Sequence, residues 1–121
     1  MALERLEELP VLPEPYEILE LAPEEERVIT VVDWELGRML IHPRWPGAPA
    51  EKWVRAVRMH VPREEKPLFP HYWDATAGTL VPQLWTILRE ARVPPNRARI
   101  RIKKVGAAPK ARFSVSLLEV L

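Results

Sequence analysis

The octapeptide RARIRIKK, residues 97–104, alternates cations with apolar residues. Because successive side chains of a strand point to opposite faces, a strand here would place its cations in one row. A row of guanidinium and ammonium groups can bind phosphates, and guanidinium planes also stack on unpaired bases. The row predicted from this spacing consists of Arg97, Arg99, Arg101 and Lys103.

A second alternating segment, residues 111–120, follows after the loop at 105–110. The two segments have the pattern of a hairpin with a longer loop. If both turn their apolar sides inward, the outer side becomes a cationic surface with Ser114 and Ser116 between the charges. We call this surface the basic platform, and its predicted nucleic-acid-binding residues are Arg97, Arg99, Arg101, Lys103, Lys104, Lys110 and Arg112.

Five tryptophans are many for a chain of 121 residues. Stacking on an aromatic side chain stabilises a bound base by about 1 to 3 kcal/mol, so an exposed indole near the platform would favour single strands. Trp53 and Trp85 fall on or beside helical apolar stripes and are predicted to be core residues. Trp34, Trp45 and Trp73 fall in predicted loops and are the candidates for stacking, although a buried indole that anchors a loop is the alternative for each.

The formal net charge of +1 conceals a strong polarity along the chain. Residues 1–35 carry a net charge of −9, residues 36–90 carry +3, and residues 91–121 carry +7. Such asymmetry indicates either an anionic partner for the basic end or pairing of the two ends within the protein. In the second case Glu17, Glu20, Asp33 or Glu35 would neutralise the platform across neighbouring strands.

The chain offers little for catalysis or cofactor binding. It has no cysteine, which excludes disulfides, thiolate metal sites and cysteine nucleophiles. Its histidines lack the helical spacing of a zinc site, and its glycines form no phosphate-binding loop. We therefore expect no metal, no cofactor and no enzymatic activity. A hydrolase built on His71 and Asp74 is the weakest alternative.

Fourteen prolines against four glycines indicate stiff, ordered connections. One Asn, one Gln and abundant Glu and Arg are typical of a thermophile, although a GC-rich genome has a similar effect. No apolar run is long enough to span a bilayer, and the amino terminus lacks the pattern of a secretory signal. These features predict a cytoplasmic protein without membrane contact, in one domain over 1–121 with a frayed extension over 1–14.

The coarse pattern predicts an α+β fold in which a mostly antiparallel sheet of about five strands carries two helices on one face. Gly37 is assigned to a loop at 33–37 that needs a positive φ. Thr79 is the expected cap of the second helix, which Pro94 ends. The predicted strands are 16–21, 28–32, 38–42, 97–104 and 111–120, and the predicted helices are 49–60 and the segment that begins after Thr79.

Together these features favour a non-enzymatic nucleic-acid-binding protein that prefers single-stranded DNA or RNA. Phosphate contacts carry no sequence information, so we expect weak sequence preference. The alternative is a protein–protein interaction or assembly module that uses its acidic N-terminal and basic C-terminal surfaces, with a homo-oligomer as one outcome.

Overall fold

The computed structural model describes residues 5–44, 46–107 and 110–121. Within them the chain forms six strands and one α-helix, preceded by a short 3-10 turn over Leu6–Glu8. The elements are β1 (Glu26–Val31), β2 (Asp33–Ile41), β3 (Lys52–His60), β4 (Tyr72–Ala75), α1 (Val81–Glu90), β5 (Ala98–Val105) and β6 (Arg112–Val120). They make two antiparallel three-stranded sheets: sheet 1 has the order β1-β5-β6, and sheet 2 has the order β2-β3-β4.

The predicted α+β fold, with one sheet of about five strands and two helices, is therefore wrong. The segment 49–60 contains β3 instead of a helix. β3 is the middle strand of sheet 2. The main core packs on one of its faces and Leu12 packs on the other, so four consecutive residues, 56–59, are buried. A strand covered on both faces loses the alternation of apolar and polar residues, so its valines resembled a helical stripe.

The predicted strands 28–32 and 38–42 do not share one sheet, because β1 and β2 lie in different sheets. Residues 16–21 form no strand and make one isolated bridge, from Ile18 to Asp74. The predicted loop at 33–37 lies inside β2, and Trp73, which was predicted to lie in a loop, lies on β4. The helix after Thr79 and the hairpin of β5 and β6 are confirmed. Thr79 makes no capping bond, since Leu80 stands at the cap position.

The main core lies between the two sheets and α1. Sheet 1 contributes residues such as Ile29, Ile100 and Ile102, and sheet 2 contributes Met59, all of them buried. The helix adds its own buried stripe of Val81, Leu84 and Leu88. On the outer face of sheet 1, Val28 and Arg101 are exposed, and Arg99 and Lys103 are half-buried.

Residues 10–19 cross the opposite face of sheet 2 as a segment that we call the N-terminal strap. At the β2 edge the Arg38 N–H donates to the Pro10 carbonyl at 2.9 Å. At the β4 edge the Leu19 N–H donates to the Asp74 carbonyl at 2.9 Å, and the Asp74 N–H donates to Glu17 at 2.7 Å. The strap thus makes one isolated bridge at each edge of sheet 2, at Arg38 and at Asp74.

Gly37 makes room for this strap. A Cβ atom at position 37 would lie 2.6 Å from Leu12 Cγ and 2.8 Å from the Pro10 carbonyl oxygen. The positive φ expected at Gly37 is not found, and the glycines with positive φ in the described chain are Gly47 and Gly106. The glycine at position 37 is thus required by close packing rather than by a turn.

A buried ion pair between Arg58 and Asp74 lies beneath the strap and is hydrogen-bonded to it. Arg58 Nε donates to Asp74 Oδ1 at 2.8 Å, and both residues are buried. The second Asp74 oxygen accepts the Glu17 N–H at 2.8 Å, and the Tyr72 hydroxyl donates to the Pro15 carbonyl. Burial raises the pKa of the Tyr72 phenol, whose ring lies 4.1 Å from the Arg58 guanidinium.

Candidate interaction surface

The structure places the predicted row of cations on the outer face of sheet 1. In β5, Ile100 and Ile102 point into the core, and the intervening Arg101 is exposed. Arg99 and Lys103 share its face and are half-buried. Arg97 precedes the strand, is exposed, and pairs through its backbone with Leu121.

Carboxylates of the protein itself pair with three of the four cations in this row. The acids come from β6, from β1 and from the turn before β1, and not from the predicted set, of which Glu17 pairs with Lys66 and Glu35 with His60. The three pairs are Arg99 Nη1 to Glu119 Oε1 at 2.7 Å, Arg101 Nε to Glu26 Oε2 at 3.8 Å, and Lys103 Nζ to Glu24 Oε2 at 3.8 Å.

This pairing changes what the face can do. Each pair is about half exposed to solvent and contributes about 0 to 1 kcal/mol to stability. Its larger effect is on the electrostatic potential, because a phosphate would meet three carboxylates beside the three cations. The platform is therefore much less positive than its cations alone indicate.

The remaining platform cations lie at the two ends of β5. Lys104, Lys110 and Arg112 lie at the hairpin end, and Arg97 lies at the other. None of these four has a carboxylate partner among the described residues. Strands rise about 3.3 Å per residue, so roughly 25 Å of β5 separates the two groups, which cannot act as one patch.

The candidate stacking residues are not on the platform. Trp34 lies on β2, packs against the core and donates its indole N–H to the Val93 carbonyl at 2.6 Å. Trp73 lies on β4, and its ring is flanked by Arg27 at 5.2 Å and Lys66 at 4.8 Å. Both belong to sheet 2, whereas the platform belongs to sheet 1. The prediction for Trp45 lies outside the described residues.

The edge of β6 is covered over its first half by the start of the helical segment. Gln83 Nε2 donates to the Phe113 carbonyl at 2.7 Å, and the Val115 N–H donates to Gln83 Oε1 at 3.1 Å. The Phe113 N–H donates to Thr79 Oγ1 at 3.1 Å. One side-chain amide thus makes the same pair of hydrogen bonds that a neighbouring strand would make.

Beyond Val115 this cover ends and the strand exposes its apolar side chains. All residues from 116 to 121 are exposed. The large apolar ones are Leu117, Leu118, Val120 and Leu121, with 39% to 53% of their surface exposed. The pairing register shifts between Arg99 and Ile100, which marks a β-bulge at this end of the hairpin. We call residues 116–121 the open edge.

Sequence reasoning missed both the cover and the open edge. Gln83 carries no periodic signal, and its one distinguishing feature is that it is the sole glutamine. Leu117 shares a face with Phe113 and Val115 in the predicted strand 111–120, so it resembled a core position. The exposure of residues 116–121 depends on how far α1 extends along β6, and no local sequence pattern indicates that extent.

The residues considered for catalysis do not meet in a reactive arrangement. His71 Nδ1 makes its hydrogen bond with the Lys66 carbonyl, at 2.8 Å. The Asp74 carboxylate is buried and bound by Arg58 and the Glu17 N–H. Among the described residues no group of three or more His, Asp or Glu side chains is arranged to hold a metal ion.

No helix in the described ranges combines the length and apolar character needed to cross a bilayer. Comparison with known protein families, with characterised proteins and with solved structures finds no match to this chain.

Proposed function

We propose that this protein is a non-enzymatic assembly module that associates with a second copy of itself through the open edge. The observation that carries the proposal is the change after Val115. Up to this residue the Gln83 side chain hydrogen-bonds to the backbone at the edge of β6, and beyond it the leucines are exposed. A long apolar edge strand is a template for pairing with another strand, and proteins normally protect such edges.

The chemistry of the edge favours an apolar strand as its occupant. Four exposed large apolar residues lie within residues 116–121, and the one charged side chain there, that of Glu119, forms an ion pair with Arg99. Pairing along this edge would therefore bury apolar surface without bringing unbalanced charges together.

A second copy supplies such a strand in the form of its own β6. Two copies related by a twofold axis would pair their open edges in opposite directions, as antiparallel strands require. A formal net charge of +1 gives little long-range repulsion between copies. The alternative predicted from the sequence is contact between acidic and basic surfaces. It has less charge available because Arg99, Arg101 and Lys103 are paired within the protein.

Light scattering after gel filtration tests the proposal. We expect the mass of two chains at high protein concentration and of one chain on dilution, with little change in high salt, because apolar burial is not screened. Leu118→Lys should give one chain at all concentrations. Leu68→Lys adds the same charge to an exposed leucine of a loop and is the matched control.

The wild-type protein would contradict the proposal if it had the mass of one chain throughout the concentration series. The proposal would also be wrong if Leu68→Lys dissociated the dimer as well as Leu118→Lys does. Dissociation by salt alone would instead favour the charge-based assembly. Far-ultraviolet circular dichroism and the melting temperature check that both variants fold.

Nucleic-acid binding is the second candidate, and the cations at the hairpin end favour it. Lys104, Lys110 and Arg112 have no carboxylate partner in the described part of the chain, and two of the three platform ion pairs are as long as 3.8 Å. Polyanionic strands could displace such weak, exposed pairs.

Retention of oligothymidylate at low and high salt tests this candidate. Lys110→Glu combined with Arg112→Glu should abolish retention at low salt if the hairpin end binds phosphates. Arg44→Glu combined with Arg63→Glu makes the same charge change on other exposed residues and should retain the strand. Equal loss in both variants would indicate a nonspecific charge effect and count against a site.

A further inference from the structure

A cleft opens at the side of β1, the edge strand of sheet 1, and faces β4 of sheet 2. Its volume of about 340 Å³ lies at the small end of the range of about 300 to 1,000 Å³ for ligand pockets. We call it the β1 cleft, and its lining consists of Arg27, Val28, Ile29, Val61, Glu65 and Trp73. Opposite charges, apolar side chains and an indole therefore line one small cleft.

Arg27 and Glu65 bring these opposite charges to the β1 cleft but do not pair with each other. No ion pair between them is found among the described residues, and Arg27 instead contacts Glu25, which is not part of the lining. A simple anion or cation would leave one of the two charges unmatched. The arrangement therefore favours a small ligand that carries both charges itself.

The backbone of β1 orients Glu65 at the cleft. Both of its carboxylate oxygens accept the Thr30 N–H, each at 3.2 Å. A carboxylate has about four lone-pair sites, so most of its acceptor capacity is left over. Glu65 is exposed, and no cation pairs with it in the described part of the chain. Its carboxylate is thus held in place and open to the ammonium group of a ligand.

The opposite end of the cleft combines Arg27 with a backbone donor. Arg27 Nη2 contacts Glu25 at 3.4 Å, and its other N–H groups have no hydrogen-bond partner within the described ranges. Amides of alternate residues in a strand point to the same side, so the Val28 N–H points the same way as the Thr30 N–H. A guanidinium and an amide N–H are suitable donors for the carboxylate of a ligand.

The rest of the lining is apolar or aromatic. Ile29 and Val61 are buried, and Val28 adds an exposed apolar surface at the rim. The Trp73 ring is flanked by Arg27 at 5.2 Å and by Lys66 at 4.8 Å. An apolar group of a ligand would be removed from water against this wall.

We propose that the β1 cleft binds a free α-amino acid with an apolar side chain. The Glu65 carboxylate accepts its ammonium group, Arg27 and the Val28 N–H hold its carboxylate, and its side chain lies on the apolar wall. Each charge of the zwitterion then meets an opposite charge or a donor. Because β1 and β6 are the two opposite edges of sheet 1, this proposal does not depend on the open edge.

Isothermal titration of the full chain with three probes tests the site: L-leucine, 3-methylbutylamine and 4-methylpentanoate. All three share one branched alkyl chain, but the amine lacks the carboxylate and the acid lacks the ammonium group. We expect leucine to bind at least about tenfold more tightly than either, because each charge-assisted contact adds to the affinity. Glycine, which has no alkyl chain, should also bind at least about tenfold more weakly than leucine.

Variants separate the two ends of the cleft. Glu65→Gln still accepts the Thr30 N–H but has no charge, so leucine should bind only as tightly as 4-methylpentanoate, whose own affinity should not change. Arg27→Met should lower the affinity for leucine to that for 3-methylbutylamine. Glu64→Gln and Arg63→Met change exposed neighbours outside the lining and are the matched controls. Circular dichroism checks that all four variants fold.

Three outcomes would overturn the proposal. The wild-type protein could fail to bind leucine, or the amine or the acid could bind as tightly as leucine does. The control variants could also lose as much leucine binding as the variants of the cleft, which would indicate a diffuse charge effect.

Discussion

Arg99 and Glu119 lie directly opposite each other across β5 and β6, with Nη1 and Oε1 2.7 Å apart. This contact, with the ion pairs of Arg101 and Lys103 along the same strand, turns a row of cations into a row of ion pairs. The middle of the basic platform is therefore neutralised by the protein itself, whereas the cations at its two ends have no carboxylate partner among the described residues. The adjacent edge of β6 then becomes the more distinctive surface.

Removal of the Gln83 side chain should lengthen the open edge. Gln83→Ala frees the Phe113 carbonyl and the Val115 N–H, so we expect stronger self-association and a stability loss of about 1 to 2 kcal/mol. Thr86→Ala changes an exposed residue of the same helix and should alter neither property. Light scattering and thermal unfolding measure the two effects, and weaker association in Gln83→Ala would contradict the role of this cover.

The buried ion pair beneath the strap should matter far more for stability than the exposed pairs of the platform. Arg58→Met leaves the Asp74 carboxylate buried without its cation, and we expect a loss of about 3 to 5 kcal/mol. Arg99→Met breaks an exposed pair and should cost less than about 1 kcal/mol. Guanidinium denaturation of the two variants checks the contrast, and similar losses would refute it.

Gly37 should tolerate no side chain. Gly37→Ala places a methyl group against Leu12 and the Pro10 carbonyl, and the strap must shift at a cost of about 1 to 3 kcal/mol. Gly78→Ala is the control, because a Cβ there meets nothing within 4 Å. Unfolding curves measure both. A neutral Gly37→Ala would show that the strap is not held closely against β2.

Tyr72 should make stability fall at alkaline pH. Burial raises the pKa of its phenol in the folded state, so folding favours the neutral form. This contribution is complete below the unfolded pKa of about 10 and is lost as the pH rises through the folded value. The free energy of unfolding, measured between about pH 9 and 11, should therefore decline less steeply in Tyr72→Phe than in the wild type. Equal slopes would contradict the prediction.

Local patterns predicted the parts of the fold that have one covered face. The β5–β6 hairpin has apolar residues on one side and polar residues on the other, and α1 has a single apolar stripe, so periodicity identified both. The same approach failed at β3, because the strap covers one face and the core the other. It failed again at Tyr16–Leu21, whose alternation suits a strand but whose backbone bridges only at the β4 edge.

The sequence by itself determined the order of charges along the chain, the alternation that places Arg99, Arg101 and Lys103 on one face, and the absence of thiol chemistry. Tertiary structure alone decided which acids meet those cations, where the Gln83 cover stops along β6, and that Trp53 is exposed beside Arg38. The physical reason is that periodicity reports which side of an element is apolar, whereas contacts between distant segments depend on sheet order and register.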